Sequence, residues 1–357
     1  MSNHKIAVAM SGGVDSSVAA ALLKNKGYDI VGLTVKFYKR EENFSFPSWA
    51  DIKSAEKVCK ILHIPHIVVD LKDKFNKNVI EYFVSEYLSA RTPNPCAICN
   101  QKIKFGILLK EAEKMDCSLL ATGHYAVISL DKKTSKAKLG RGKDPGKDQS
   151  YFLARVPSQK LDKILFPVGT FSKAKIRKLA KKFDLPVYNS KESQEVCFIG
   201  NGKISEFIEQ YKNIELNKGY IKNSAGKIIG RHNGIAGFTI GQRKGVGVAV
   251  GEPVFVYRID HNANEIYVGE EKHLYKKRFL GTNLLWFQDK KPVPSGKVET
   301  RIRYAHSPAA SKIILRDHNR VEVEFKKSQR AITPGQLAVF YQKKVVVGSA
   351  WIESVLD

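Results

Sequence analysis

Across 357 residues, 60 lysines and arginines stand against 35 aspartates and glutamates, a formal charge of +25 at pH 7. Such an excess favours a polyanionic partner, nucleic acid foremost, although lysine used as general surface filler would give the same count. With 43% hydrophobic residues and no apolar run of spanning length, the composition offers no membrane-spanning helix and allows two or three globular domains. MSNHKIAVAMSGG carries no signal-peptide pattern and five cysteines are too few for a secreted disulfide framework, so a cytoplasmic protein without a membrane partner is expected.

Residues 5–10, KIAVAM, predict a short buried strand. SGGVDSS follows as a turn, with a helix starting near Ser16 and closed by Gly27. DIVGLTVKFY (29–38) predicts a strand, DIKSAEKVCKILH (51–63) an amphipathic helix, and HIVVDL (66–71) another strand. A long helix is expected over about 73–90, another over 101–114, and a strand over SLLATGHYAVI (118–128). Strands alternating with helices imply a parallel sheet covered on both faces. The alternation fades near residue 200, after SKAKIRKLAKKFDL (172–185), where Ile176, Leu179 and Phe183 share one face and the basic residues the other. That basic face is a solvated helix surface or a phosphate-contacting one, the latter favoured if the partner is RNA.

Beyond residue 200 the pattern is short strands and glycine turns. GYIKNSAGKIIG and VYRIDHNANEIYVG read as hairpins. From about residue 280, VETRIRY, SKIILRD, RVEVEFKK, LAVFYQK and VVVGSAWIE recur at barrel spacing. In RVEVEF, Val321, Val323 and Phe325 share one side, while Arg320, Glu322 and Glu324 share the other, as in a sheet wet on one face. The expected organisation is an α/β catalytic domain over 1–200, a small β-rich domain over 201–275 and a terminal β-barrel over 276–357.

SGGVDSS (11–17) lies in the first strand-to-helix turn. Gly12 and Gly13 let backbone N–H groups turn inward, the helix adds its positive end, and Ser11, Ser16 and Ser17 add hydroxyl donors. Together they make an anion cradle. A bare Asp15 carboxylate would repel phosphates, so a Mg²⁺ between them is expected. Neither GxxxxGK[ST] nor GxGxxG is present at this loop. A plain capped turn is the bland alternative.

TPNPCAICN (92–100) places Cys96 and Cys99 three apart. By itself the pair is half of a metal knuckle, a redox pair or a nucleophile with a neighbour. Cys59, inside an amphipathic helix, and Cys117, before a strand, read as buried filler.

SGGVDSS resembles the pyrophosphate loop of the N-type ATP pyrophosphatases, which cleave ATP between its α and β phosphates to adenylate a substrate. TPNPCAICNQKIKF, ATGHYA, KDQSYFLARV, LFPVG, SQEVCFIG, FTIGQRKG and TPGQLAVFY follow in the order found in tRNA-specific 2-thiouridylases. The resemblance runs from residue 5 to about residue 352 and implies sulfur transfer to C2 of the tRNA wobble uridine. It implies an ATP site at Ala9, Met10, Ser11, Gly12, Gly13, Val14, Asp15, Ser16, Val35 and Gly123. It also implies a nucleophile at Cys99 and a persulfide-bearing Cys197. A sulfur donor such as a cysteine desulfurase or sulfur-relay protein would charge that persulfide. Contacts to tRNA are implied at Asn94, Pro95, Cys96, His124, Lys147, Asp148, Gln149, Arg303, Tyr304 and Gln336.

Cys96 departs from one common version of the family, in which an aspartate read as a general acid/base fills its place. Cys96, Cys99 and Cys197 offer three thiolates to a [4Fe–4S] cluster with one iron open, or to zinc with a ligand missing. A cluster-free persulfide route ending in a Cys99–Cys197 disulfide, or a Cys96–Cys99 redox pair, uses the same residues. Two rivals remain on sequence: a sibling ligase that adenylates a small molecule and needs neither Cys99 nor Cys197, and a non-catalytic RNA-binding protein with a structural zinc, for which Asp15 is dispensable.

Overall fold

The computed structural model describes residues 5–37, 52–132, 134–189, 196–199, 202–248, 251–287, 298–316 and 319–356. The expected strand end at Tyr38, the helix start at Asp51, and residues 193–195 and 200 of SQEVCFIG lie outside the described residues. The chain packs as two units. One comprises Met1–Val79, Cys96–Gly200 and Lys344–Val346; the other comprises Ile80–Pro95, Asn201–Lys343 and Val347–Asp357.

The first unit begins with β1 (Lys5–Ala9), α1 (Val14–Asn25), β2 (Asp29–Lys36), α2 (Ile52–Ile61), β3 (His66–Asp70) and α3 (Lys72–Phe75). After α4 (Glu81–Leu88), which belongs to the second unit, come α5 (Pro95–Ile98), a π-helix over Cys99–Leu108, and α6 (Leu109–Glu113). The unit continues with β4 (Leu119–Ala121), β5 (Ala126–Leu130), β6 (Ala137–Arg141), α7 (Ser150–Leu153), β7 (Ile164–Leu165) and α8 (Lys173–Lys182). Its sheet runs β3-β2-β1-β4-β7, every pairing parallel. The chain builds outward from β1 to β2 and β3, then returns to place β4 on the other side of β1. That reversal opens a crevice at the carboxyl ends of β1 and β4, where such sheets bind ligands.

The central strands are covered on both faces and are apolar, with Ile6, Ala7, Val8 and Leu33 fully buried, whereas Ile67 and Val68 of the edge strand β3 are exposed. Val18, Ala19 and Ala20 of α1 pack with Ile176 and Ala180 of α8 in one core cluster. Each fully buried Val or Ile contributes about 1.5–3 kcal/mol relative to exposure. The Ser172 hydroxyl caps α8 by accepting the Lys175 N–H at 3.3 Å.

Three sequence expectations change here. Helix α1 starts at Val14 rather than near Ser16, because Gly12 at φ 76° turns the chain early enough for Gly13 to serve as N-cap. Segment 118–128 is two strands, β4 and β5, with the site loop Thr122–Tyr125 between them. Segment 101–114 is mostly π-helix, which hydrophobic period alone does not distinguish from α.

The second unit contains α9 (Ile204–Lys212), then β8 (Gly219–Lys222), β9 (Ile228–His232), β10 (Phe255–Asp260) and β11 (Glu265–Gly269), ordered β10-β11-β8-β9. Both expected hairpins form, β8 with β9 and β10 with β11. Their core is Ile221, Ile235, Val256, Ile266 and Val268. The remaining strands are β12 (Tyr275–Trp286), β13 (Val298–Arg301), β14 (Ala309–Arg316), β15 (Arg320–Arg330), β16 (Leu337–Gln342) and β17 (Val345–Leu356). They pair in the order β12-β15-β14-β13-β16-β17, and β17 returns to β12, closing a six-stranded barrel. Val321, Val323 and Phe325 fill its interior as the alternation requires. Glu322 is not on a wet face as expected: it is 8% exposed and is held by Arg316 at 2.5 Å. A carboxylate that close to a guanidinium tolerates burial that a lone one would not.

Candidate active site

At the carboxyl edge of the first sheet lies a cavity of about 240 Å³. Ala9, Met10, Ser11, Asp15 and Ser16 line it from β1 and its loop, and Leu33, Val35 and Phe37 from the end of β2. Thr122, Gly123 and His124 close it from the loop after β4, Lys104 and Leu108 from the π-helix, and Gln149 from the turn before α7. Gly12 and Gly13 form the turn itself, and Val14 is packed into the core behind it.

The loop is held by its own small side chains. Ser11 N–H donates to Ser16 Oγ at 3.2 Å, while the Ser16 and Ser17 hydroxyls donate to the Gly13 carbonyl at 3.0 and 2.9 Å. Gly123 approaches this loop so closely that an added Cβ would sit 2.6 Å from Ser16 N. That approach brings the ends of β1 and β4 to one cavity.

Asp15 has partners that the sequence did not suggest. Lys173 Nζ reaches its two oxygens at 2.8 and 2.7 Å, and the Tyr125 hydroxyl donates to Oδ1 at 2.6 Å. A Mg²⁺ on this carboxylate would have to displace the Lys173 ammonium. Gln149 fixes Tyr125 by accepting its N–H at 2.9 Å and donating its own backbone N–H to the Tyr125 carbonyl at 2.8 Å.

His124, implied by the resemblance to meet tRNA, is 9% exposed and lines the cavity. Its Nδ1 lies 2.7 Å from Thr122 Oγ1 and its Nε2 3.5 Å from Lys104 Nζ. Burial, then the nearby Lys104 charge, hold it well below its ordinary value, so it is neutral. An ammonium only donates, so Nε2 is the acceptor and Nδ1 carries the proton toward Thr122.

Cys96 lies in the single turn α5 and Cys99 opens the π-helix. Cys197 sits in a turn anchored by Phe198, which is 1% exposed and packs edge-on against Phe75 at 5.9 Å. Protein atoms crowd all three thiols, even though Cys96 still presents surface to solvent. Burial raises each of them, Cys99 to about 11. Cys197 is raised further by the charges of Cys96 and Cys99, and the positive charge of Lys104 opposes the rise at all three. Residues 98 apart in sequence (197 − 99) are thus within electrostatic reach. Among the described residues, however, no three His, Cys, Asp or Glu side chains converge closely enough to hold a metal ion. The described residues thus form no ready-made site for a single metal ion. Asn100, next to Cys99, is 2% exposed; its amide donates to the Phe152 carbonyl at 3.1 Å and its Oδ1 lacks a partner among the described residues.

The proposed tRNA contacts divide. Asn94 and Pro95 are buried, leaving Cys96 as the exposed side chain of that trio. Asp148 is 1% exposed and accepts from Gly142 N, Ser150 N and Arg141 Nε, so its carboxylate organises the loop. Lys147 is half-buried in the same turn. Arg303 donates to the carbonyls of Arg330 and Ala331, and the Tyr304 carbonyl accepts from Arg301, so both are partly used within the barrel. Gln336 donates to the carbonyls of Thr92 and Pro93 at 3.1 and 2.9 Å. Gly335, at φ 90°, lies so near Thr92 that a Cβ would meet its carbonyl oxygen at 2.7 Å.

Sequence reasoning missed Lys104, Thr122, Tyr125 and Lys173. IKF and FSK in isolation give no sign that either lysine faces a cavity or a carboxylate.

A parallel sheet with a glycine–serine–aspartate loop at its switch point, followed by two β-rich parts, defines the class of pyrophosphatase-loop nucleotide enzymes with appended barrels. Family models agree part by part: a tRNA methyl transferase HUP domain over residues 4–201, a tRNA methyl transferase PRC-barrel domain over 205–270, and an aminomethyltransferase beta-barrel domain over 276–352. The chain is 42% identical to tRNA-specific 2-thiouridylase MnmA of Caldicellulosiruptor saccharolyticus, covering 99% of both chains. It is 42% identical to MnmA 2 of a Thermoanaerobacter species over 99% of both, and 40% identical to MnmA of Clostridium perfringens over 100% of both. The chain belongs to the tRNA-specific 2-thiouridylase family. A solved U34-tRNA thiolase from Methanococcus maripaludis, NcsA with its [4Fe–4S] cluster, aligns at 21% identity and TM-score 0.36 over 59% of this chain and 68% of that one. So distant a likeness decides nothing about the cysteines here. Among the described residues no helix is long and apolar enough to cross a membrane.

Proposed function

We propose that this enzyme, a tRNA sulfurtransferase by family, replaces the C2 oxygen of the wobble uridine with sulfur in two steps. ATP occupies the cavity beside the 11–17 loop, with its phosphates on the loop N–H groups and the positive end of α1. Asp15 would hold a Mg²⁺ accompanying the phosphates, and so neutralise their charge, only on releasing Lys173. The uridine leaves its stack and its C2 oxygen attacks the α-phosphorus. The bond to the β-phosphate breaks and pyrophosphate departs. The terminal sulfur of a persulfide on Cys197 then attacks C2. The C2–O bond breaks and its electron pair leaves with AMP. Cys99 attacks the Cys197 sulfur, frees 2-thiouridine and closes a Cys99–Cys197 disulfide, which an external dithiol reduces. A cysteine desulfurase or sulfur-relay protein recharges Cys197.

The observation supporting this reading is that Lys104, whose charge acts on Cys96, Cys99 and Cys197, also lines the nucleotide cavity. Nucleotide and sulfur chemistry therefore share one site. No step in this reading passes through a cluster. The three-part division at 200/201 and 275/276 belongs to the same proposal, with the barrel and the basic face of α8 positioning tRNA.

The test is thiolation of an unmodified tRNA transcript with ATP and a persulfide donor, read as 2-thiouridine by mass spectrometry. Cys99→Ala and Cys197→Ala should each abolish product, while Cys96→Ala keeps substantial, chelator-resistant activity. Loss of iron, visible absorbance and activity together in Cys96→Ala would replace the persulfide route with a cluster. Wild-type enzyme that releases pyrophosphate but never makes 2-thiouridine would remove the function.

A further inference from the structure

Lys104 sits five residues after Cys99, where an α-helix would carry it about 140° round the axis, away from that cysteine. Over Cys99–Leu108 the helix is instead a π-helix. Its i→i+5 hydrogen bonds bring residue i+5 back roughly above residue i. Lys104 therefore returns to the Cys99 face while also lining the nucleotide cavity. The wide turn has close support: a Cβ on Gly106 would meet the Gln101 carbonyl oxygen at 2.9 Å, and Lys160 Nζ donates to the Phe105 carbonyl at 2.8 Å. Such π segments are uncommon and concentrate at functional sites.

The two lysines near the cavity differ in their partners. Lys173 is neutralised by Asp15 at 2.7 Å. Among the described residues Lys104 forms no ion pair; its partner is the neutral His124, 3.5 Å away and fixed by Thr122. Among the described residues, then, no carboxylate pairs with this ammonium, which lines the same cavity as the anion-binding loop.

We propose that Lys104 is a catalytic residue that contacts the α-phosphate, first of ATP and then of the adenylated uridine. This rests on the function proposed above. As sulfur forms its bond to C2, the C2–O bond breaks and its electron pair passes to the departing AMP, which gains negative charge at the bridging oxygen. An ammonium already aimed there stabilises that charge without reorganising. His124 acts as a positioning residue: its Nε2 accepts from Lys104 and directs the ammonium's remaining N–H bonds.

The experiment compares wild type, Lys104→Met and Lys104→Arg in single-turnover thiolation, with ATP and tRNA affinities and melting temperature measured on the same preparations. Removing one preorganised donor of this kind costs on the order of 10²–10³-fold in rate. Lys104→Met should lose that much in rate, well beyond its loss of ATP affinity, with tRNA affinity within a few-fold of wild type and melting unchanged. Lys104→Arg should recover at least about tenfold over Lys104→Met, since it restores the charge on a different shape. Activity of Lys104→Met near wild type overturns the assignment, as does a matching loss in both variants accompanied by a lower melting temperature. Wild type acts as the control for the underlying function: if it makes no 2-thiouridine, that reading fails, whereas an active wild type beside an equally active Lys104→Met sinks the role of Lys104 alone.

Discussion

Gly123→Ala tests the geometry of the nucleotide cavity with one methyl group. Its Cβ would lie 2.6 Å from Ser16 N, 2.7 Å from the Asp15 carbonyl carbon and 3.0 Å from Asp15 Cβ. Two of these atoms are backbone in the first turn of α1, so no side chain can rotate aside. Reaching even a 3.0 Å approach requires a shift of about 0.4 Å (3.0 − 2.6), and ordinary contact at 3.4 Å about 0.8 Å. The loop or the end of β4 must absorb that shift. Overpacking of this kind costs about 1–3 kcal/mol. If the strain falls on the ATP-bound loop, affinity drops roughly 5- to 150-fold, at 1.4 kcal/mol per decade. Titration calorimetry with a non-hydrolysable ATP analogue measures the affinity, and thermal melting measures the share of strain borne by the free protein. Gly123→Ala that binds and melts like wild type would mean the β4 loop and the 11–17 loop do not meet as described.

Gln336→Ala removes both donors to the Thr92 and Pro93 carbonyls, four and three residues before Cys96, and should lower the single-turnover thiolation rate several-fold with tRNA affinity little changed; a pure affinity loss would make Gln336 a tRNA contact instead. Cys99, raised to about 11, is almost wholly protonated at neutral pH. Its alkylation by iodoacetamide should be on the order of 10²-fold slower than that of free cysteine at pH 7.5 and should climb about tenfold per pH unit from 7 to 10. A plateau below pH 9 contradicts the burial of that thiol. The logarithm of tRNA affinity should fall linearly with the logarithm of salt, at roughly 0.7–0.9 per phosphate contacted, and a flat response would make the +25 charge mere surface composition.

Period and turn chemistry made the strands of this protein legible. KIAVA and RVEVEF declare a strand buried on both faces and a strand buried on one, and the structure bears out both patterns save at Glu322. There the alternation was right and the environment was not, because Arg316 is a partner supplied by the neighbouring strand. The π-helix was illegible because an apolar stripe fixes neither 3.6 residues per turn nor a wider one over so short a run. SGGVDSS announced an anion site because glycine and hydroxyl donors act through local backbone geometry. Lys104 and Lys173 did not announce themselves, since their roles depend on residues 20 and 158 positions away. The burial of Asp148 and His124 was hidden for the same reason. Their partners turn a polar loop residue into a buried organiser and a cavity wall.

The pairing of Asp15 with Lys173 changes the electrostatic argument for the loop. A carboxylate in the first turn of a helix is stabilised by the helix end by about 0.3–1 kcal/mol, yet it opposes the polyphosphate that the same helix end attracts. On sequence alone, a divalent cation is the obvious remedy. The structure supplies another: a lysine 11% exposed, on the first residue of α8, reaching both carboxylate oxygens beside the Tyr125 hydroxyl. The pair is close to neutral, so the loop N–H groups and the α1 end present a net positive field to an incoming phosphate before any metal arrives. It also ties α1, the β4–β5 loop and α8 together at the mouth of the crevice. If Mg²⁺ arriving with ATP takes Asp15, the released ammonium is left beside the phosphates at the moment their charge must be balanced, and the total charge of the site adjusts to its ligand without a change in the fold.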